Sequence, residues 1–319
     1  MHPGYELKIG SKEFKSGSSE SLLSLELSRC LGLPIDSLEG MLVGGTAYPF
    51  EKGDEVTLKL GYGSDLVHVF TGLLSECEVG ISKVRVFALG GAVKLLNLRV
   101  NAVYQNQTSG DIVKSLAQEV KLDVKEGEDG IDYSYYVVDG RQNAYEHMLR
   151  LAEKCDFDVY MTPAGELVFK KFEGKDEHKF TYGKDIIQIE LSKTPQYYDG
   201  VAVFGESPSS TMGAETYHWL AKEELKAKTE GSNPLGVRDP SIKSNENAEK
   251  VAQAIKSRLE YSVFMTVEVV GRAEVKPGDS LVLEGFADAT VDGKYEVTGI
   301  EHSLSKSKGF TSRFQCRRK

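Results

Sequence analysis

Residues 52–58 read Lys52-Gly53-Asp54-Glu55-Val56-Thr57-Leu58, and residues 277–283 read Pro277-Gly278-Asp279-Ser280-Leu281-Val282-Leu283. Each stretch is a tight turn that runs into a strand. Glycine supplies the positive φ a tight reversal requires, and a neighbouring aspartate can bond the local backbone. Val56 and Leu58 then alternate with Thr57, and a period of two places them on one face of a sheet. The copies stand 225 residues apart. Gly53, Asp54, Gly278 and Asp279 therefore read as structural turn residues, not as chemistry.

The match extends in both directions. Upstream, residues 23–29 (LSLELSR) resemble residues 187–193 (IQIELSK) at an offset of 164. Downstream, Val69-Phe70-Thr71-Gly72-Leu73 resembles Glu296-Val297-Thr298-Gly299-Ile300 at an offset of 227, which adds Gly72 and Gly299 to the repeated positions. Order is preserved throughout. The jump from 164 to 225 is an insertion of 61 residues in the second copy, and it coincides with a polar stretch at about 206–260. The pattern predicts a strand-rich unit present twice, each a barrel or a sandwich. The alternative is two unrelated β domains that share hairpin turns.

Between the copies the period changes. Ile112, Val113, Leu116, Ala117 and Val120 have helical spacing, with Thr108 or Ser109 as the N-cap. Tyr133–Val138 reads as a strand, and a second helix covers about 143–155. Two strands then flank the turn Pro163-Ala164-Gly165. The expected domains are 1–102 (β), 103–172 (small α+β) and 173–319 (β with the insertion). Within the insertion, Ala248, Val251, Ala252, Ile255 and Leu259 predict one amphipathic helix capped by Ser244 or Asn245. Residues 231–240 read as exposed loop.

Composition narrows the function. The net charge is −9 and none of the three segments is basic, so no electrostatic footprint for nucleic acid is present. The basic cluster Arg317-Arg318-Lys319 reads as a solvated tail. Cys30, Cys77, Cys155 and Cys316 are widely spaced, with no zinc pattern and no disulfide framework. No apolar run approaches the ~18 residues of a membrane span, and no classical export signal opens the sequence. His147 and His302 lack a second histidine at metal spacing. There is no phosphate loop and no nucleophile elbow. With no catalytic constellation, no metal and no cofactor expected, a structural role is favoured. Trp219 and Tyr217, in the insertion, are a possible contact surface; a sugar-stacking platform is the alternative.

The middle block carries a resemblance to a known family. Residues 108–120 (TSGDIVKSLAQEV) and 135–172 (YYVVDGRQNAYEHMLRLAEKCDFDVYMTPAGELVFKKF), with the run VDGKYEVTGIEHSLSKSKGFTSRFQCRR at 291–318, resemble the late-control D proteins. Those are baseplate hub proteins of contractile phage tails, similar to the hub half of VgrG in type VI secretion. Asp156 and Ala164 stand where that family has Gly and Asp. The resemblance covers essentially the whole chain. It implies two tube-like β-barrels per chain and a homotrimer whose six similar units join a hexameric tail tube to a trimeric spike. It also implies a separate spike polypeptide, the tube protein, other baseplate proteins and a tape-measure protein as partners. Assembly would occur in the bacterial cytoplasm, into a virion baseplate or tail-like particle. A tail-tip peptidoglycan hydrolase and a carbohydrate-binding tail protein are the alternatives.

Overall fold

The structure is a computed structural model that describes residues 2–17, 22–32, 35–44, 48–174, 176–206 and 225–319. The first unit holds β1 (Pro3–Ile9), β2 (Lys12–Lys15), β3 (Leu22–Cys30), β4 (Ser37–Val43), β5 (Glu55–Tyr62), β6 (Asp65–Val79) and β7 (Lys83–Gly90). A middle block follows: α1 (Val93–Asn97), β8 (Ala102–Thr108), α2 (Ser109–Glu119), β9 (Val124–Gly127), β10 (Asp132–Val138), α3 (Ala144–Cys155), β11 (Phe157–Met161) and β12 (Leu167–Lys171). The second unit opens with β13 (Glu177–Thr181) and β14 (Ile186–Lys193). It is interrupted by β15 (Gly200–Phe204), β16 (Lys226–Lys228), β17 (Pro234–Arg238) and α4 (Asn245–Leu259). It closes with β18 (Val263–Val270), β19 (Ser280–Glu284), β20 (Gly293–Ser305) and β21 (Gly309–Arg318). The chain is mainly β with an α+β block, as the periodicities predict.

The strand order repeats. In the first unit β3, β4, β7, β6 and β5 are neighbours in that order; in the second, β14, β18, β21, β20 and β19 are. All these pairs are antiparallel. The units differ at the next strand: β1 joins β5 antiparallel, whereas β13 joins β19 parallel. The inserted segment lies between β14 and β18, where the first unit has only the short link from β3 to β4. Leu7, Phe14, Leu27, Leu38, Leu58, Val69 and Val86, one from each of β1–β7, share a single core to which no helix of the described residues contributes. Side chains from all seven strands meet in that core together with Ala273, Leu304 and Phe310 of the second unit, so the sheet of the first unit curls round it. The alternation Leu23, Leu25, Leu27 is broken by a bulge between Leu22 and Ser24, which buries Leu22 in place of Leu23.

One predicted correspondence is out of register. The sequence aligns Gly72 with Gly299, but Glu55 pairs with Leu73 where Ser280 pairs with Glu296. The structural offset between β6 and β20 is therefore 223. The counterpart of Gly72 is Tyr295, and that of Gly299 is Glu76. The two glycines serve different close approaches. A Cβ on Gly72 would lie 2.4 Å from the Leu89 carbonyl oxygen, and one on Gly299 would lie 3.1 Å from the Gln315 side chain. The ladder sets the register, and both ladders carry a bulge at the same step, Leu74/Glu76 and Val297/Gly299.

The middle block forms because its caps and apolar stripes agree. Thr108 with Asp111, and Asn143 with Glu146, make reciprocal capping boxes at α2 and α3. Asp156 ends α3 with a left-handed φ of 57°. The insertion packs onto this block. Val201, Val203, Ala227, Ile242, Ala248, Val251 and Ala252 belong to the same core as Ile112, Leu116, Met148 and Leu151. Residues 231–240, read from sequence as exposed loop, include β17, which lies parallel to β15. The loop reading failed because β17 is short and its hydrogen bonds go to a strand more than thirty residues away.

Candidate functional site: the seam and the surfaces it leaves open

The two units meet in one continuous sheet, because β20 pairs antiparallel with β3. Along this seam Leu304 lies opposite Leu25, and His302 opposite Leu27. All four side chains are buried. His302 Nδ1 is 2.8 Å from Ser312 Oγ, and its ring packs edge-on to Phe310 at 5.7 Å. Burial, with the nearby Arg29 charge, pushes the His302 imidazole down to about 3. Arg29 is itself buried at the seam. It donates to Asp36 at 3.0 Å and to the Met161 carbonyl, which ties the middle block to the first unit. Burial pushes the Asp36 carboxyl up despite that guanidinium.

The predicted Gly-Asp turn residues, Gly53 and Asp54 against Gly278 and Asp279, occupy equivalent positions. Gly53 has φ 96° and Gly278 has φ 90°. The Gly53 N–H donates to Leu74 O at 2.8 Å, and the Gly278 N–H donates to Val297 O at 2.8 Å. The turns clamp the strand just before it reaches the seam side. They place side chains; they do not form a pocket of reactive groups. Trp219 and Tyr217 lie outside the described residues.

The polar face of the sheet repeats too, which sequence comparison overlooked because single charged residues carry no local signal. Arg85 bonds Glu39 at 2.8 and 3.0 Å and lies 3.6 Å from Glu78. In the second unit Arg313 bonds Glu268 at 3.3 Å and lies 3.7 Å from Glu301. Glu78 and Glu301 are structural counterparts, as are Arg85 and Arg313. Exposed pairs of this kind contribute little to stability, because solvent screens them. They give the sheet an acidic band crossed by two arginines. Where the band crosses the seam, Glu26 meets Glu301. The hydrogen bond between the two carboxyls raises the Glu26 pKa, with burial adding to the shift.

Within the C-terminal cluster read as a solvated tail, Arg317 and Arg318 are instead half-buried in a junction, and only Lys319 is exposed. Arg317 bonds Glu296 at 2.7 and 2.8 Å and Asp158 of β11 at 3.1 Å. Its guanidinium lies 4.2 Å from the Tyr261 ring centroid, and the Tyr261 hydroxyl donates to Glu296 at 2.8 Å. Burial pushes the Asp158 carboxyl up to about 6; Arg317 opposes that shift and the Glu296 charge adds to it. Arg318 stacks on Tyr295 at 4.5 Å. A cleft of 330 Å³ beside this junction is lined by Asp158, Tyr160, Lys170, Lys276 and Asp279. Among the described residues no group of three or more His, Cys, Asp or Glu side chains is arranged to hold a metal ion. Among the same residues no helix is long and apolar enough to cross a membrane.

Two β units of matching strand order, joined edge to edge through one sheet and braced by an α+β block, make a fold that solved phage tail proteins share. The 43 kDa tail protein of prophage MuSo2 from Shewanella oneidensis shares it over 98% of both chains, with a TM-score of 0.73 and 15% identity. The tail protein from Neisseria meningitidis MC58 shares it over 100% of this chain and 97% of its own, with a TM-score of 0.76 and 15% identity. The E. coli c3393 protein, a component of the type VI secretion system, matches over 97% of this chain and 76% of its own, at a TM-score of 0.61 and 14% identity. By sequence, the family model of the Alg8 N-terminal domain matches residues 46–306, and the chain belongs to that family. No curated protein matches the sequence.

Proposed function

We propose that this chain is a structural component of a contractile tail-like particle, whether phage tail, tailocin or injection system, and within it the baseplate hub. In this reading three chains form a ring of six similar units. One face of the ring meets the hexameric tail tube and the other a trimeric spike carried on a separate polypeptide. The observation that carries it is the duplicated unit, joined in one sheet by the β3–β20 seam. Such an arrangement can present threefold and near-sixfold symmetry at once, which a tube–spike adaptor needs. The full-length likeness to tail proteins and the resemblance of the middle block to late-control D proteins support the same reading.

The work is done by binding over large interfaces, and the chain turns over no substrate. Assembly takes place in the bacterial cytoplasm, with the other baseplate proteins and the tape-measure protein as further contacts. Native mass spectrometry of the purified chain, alone and with its spike partner, tests the ring; a trimer is expected. A monomer under both conditions, together with absence of the chain from purified particles, overturns the reading. Zymography on cell-wall substrate tests the hydrolase alternative: clearing that survives purification would replace the structural role with an enzymatic one.

A further inference from the structure

The seam between β3 and β20 is made once within the chain, and each of its two edges has a counterpart that stays open. The counterpart of β3 is β14, by the pairing of Leu27 with Leu38 and of Leu191 with Met265. β14 pairs with β18 alone, so its other edge is free among the described residues. The counterpart of the seam half of β20 is the C-terminal part of β6. β6 is paired to β5 only as far as Leu73, so from Glu76 to Val79 its β5-side edge is also free.

The residues along these free edges match the buried seam. Applying the offsets of 223 and 164 to the seam register places Val79 opposite Leu191 and Cys77 opposite Lys193. The same operation carries Ile81 onto Ile189. His302 and Leu304, which hold these places within the chain, are 0% and 8% exposed; Val79 and Ile81 are 76% and 98% exposed. On the other edge Leu25 and Leu27 are buried, whereas their counterparts Ile189 and Leu191 are only half-buried. Apolar side chains left open in one copy thus stand where the other copy of the same motif is covered. A free, apolar sheet edge calls for a strand partner.

We propose that the β14 edge of one chain pairs antiparallel with the β6 edge of a second copy, in the register of the internal seam. The contact is heterologous, since each chain offers one edge of each kind, and repetition closes a ring if the rotation fits. The strand part runs over Glu76–Val79 against Leu191–Thr194. The β6–β7 ladder is three residue pairs shorter at this end than the β20–β21 ladder, so Ile81 covers Ile189 from the turn. The seam stops at Thr194, because Pro195 cannot donate the bond that Leu31 gives to Thr298. On the opposite face Glu190 meets Glu78 of the second copy, as Glu26 meets Glu301 within the chain. This inference rests on the ring reading and adds to it which edges join and in which register.

Cysteine cross-linking tests it. In a background with Cys30 and Cys77 changed to Ser, Val79→Cys with Leu191→Cys should give disulfide-linked multimers under mild oxidation. Val79→Cys with Ser192→Cys should not, because a one-residue slip turns the thiol to the other face. Equal cross-linking of both pairs overturns the register. No cross-link in a preparation that native mass spectrometry shows to be oligomeric overturns the seam and leaves the ring reading standing. A monomer at every concentration, with and without the spike partner, removes both. Ile81→Asp supplies a second readout. Because Ile81 is exposed, the monomer's melting should not change, while association should weaken at least tenfold; unchanged association overturns the proposal.

Discussion

Asp54 and Asp279 hold the same bonds in the two halves of the chain. The Asp54 carboxylate accepts the Glu51 N–H at 2.9 Å, and the Asp279 carboxylate accepts the Lys276 N–H at 2.8 Å. The Leu74 N–H donates to Asp54 O at 2.8 Å, and the Val297 N–H donates to Asp279 O at 2.9 Å. Asp279 alone reaches further, to His178 Nε2 at 2.9 Å. The repeat therefore lives in backbone geometry, with an added contact in the second copy.

That difference predicts unequal losses. Asp54→Ala should cost about 1 kcal/mol and Asp279→Ala about 2 kcal/mol, since the latter is more buried and loses the His178 partner as well. Gly53→Ala should cost roughly 1 kcal/mol from positive φ alone, because nothing lies within 4 Å of its added Cβ. Gly278→Ala should cost more, as its Cβ would meet the Tyr160 hydroxyl at 3.1 Å. Urea unfolding of the four variants checks the ranking.

His302 predicts a pH dependence. Its pKa in the fold is lowered to about 3, against about 6.5 in the unfolded chain. The fold binds the neutral ring, so this contribution is complete above pH 6.5 and is lost as pH falls towards 3. The slope is at most about 1.4 kcal/mol per pH unit. His302→Gln should flatten the acid limb of the stability curve, measured by unfolding at pH 4 to 7. An imidazole that titrates near 6.5 by NMR in the folded protein would contradict this.

The docking of the insertion depends on Lys154. It pairs with Asp239, donates to Ser241 Oγ at 3.1 Å and lies 5.5 Å from the Tyr136 ring centroid. Burial pushes the Asp239 carboxyl up, but the Lys154 charge and the bonds from Lys154 and Ser241 outweigh it and hold the pKa below its usual value. Lys154→Met leaves that carboxylate unpaired and should cost about 2–4 kcal/mol; adding Asp239→Leu should recover most of the loss. Hydrogen exchange should show faster opening of β17 and α4 in the single variant.

At the seam, the Glu301 carboxyl raises the Glu26 pKa, so the fold disfavours the ionised form of Glu26 relative to the unfolded chain. The repulsion with Glu301 is fully felt at pH 7 and relieved as pH falls through the carboxylate range. Glu26→Gln should raise Tm by about 1–2 °C at pH 7, and the advantage should shrink towards pH 4. Thermal melts across that range decide it.

Much of the fold was legible in the residues because it is locally encoded. Thr108 and Asn143 cap helices through partners three residues away, and Val56, Leu58 and Leu60 share a face by strict alternation. The Gly-Asp turns pointed to the duplication. The register of β6 against β20 was not legible: matching Gly72 to Gly299 by residue type ignored the pairing of the neighbouring strand, which sets Glu55 against Leu73 and Ser280 against Glu296. The Arg317 cluster was missed for a related reason, since its acidic partners Asp158 and Glu296 lie 159 and 21 residues away.

By itself the sequence determined what short-range physics can specify: the turns, the caps, the strand and helix periods, and the doubling of one motif. The tertiary structure alone decided which edges of the doubled motif meet. It also placed the insertion on the middle block instead of on its own β unit, and left Val79 and Ile81 uncovered. Those outcomes depend on pairing and burial between segments remote along the chain. A strand carries the same alternation whether its edge is covered by its own chain, by a second copy or by water.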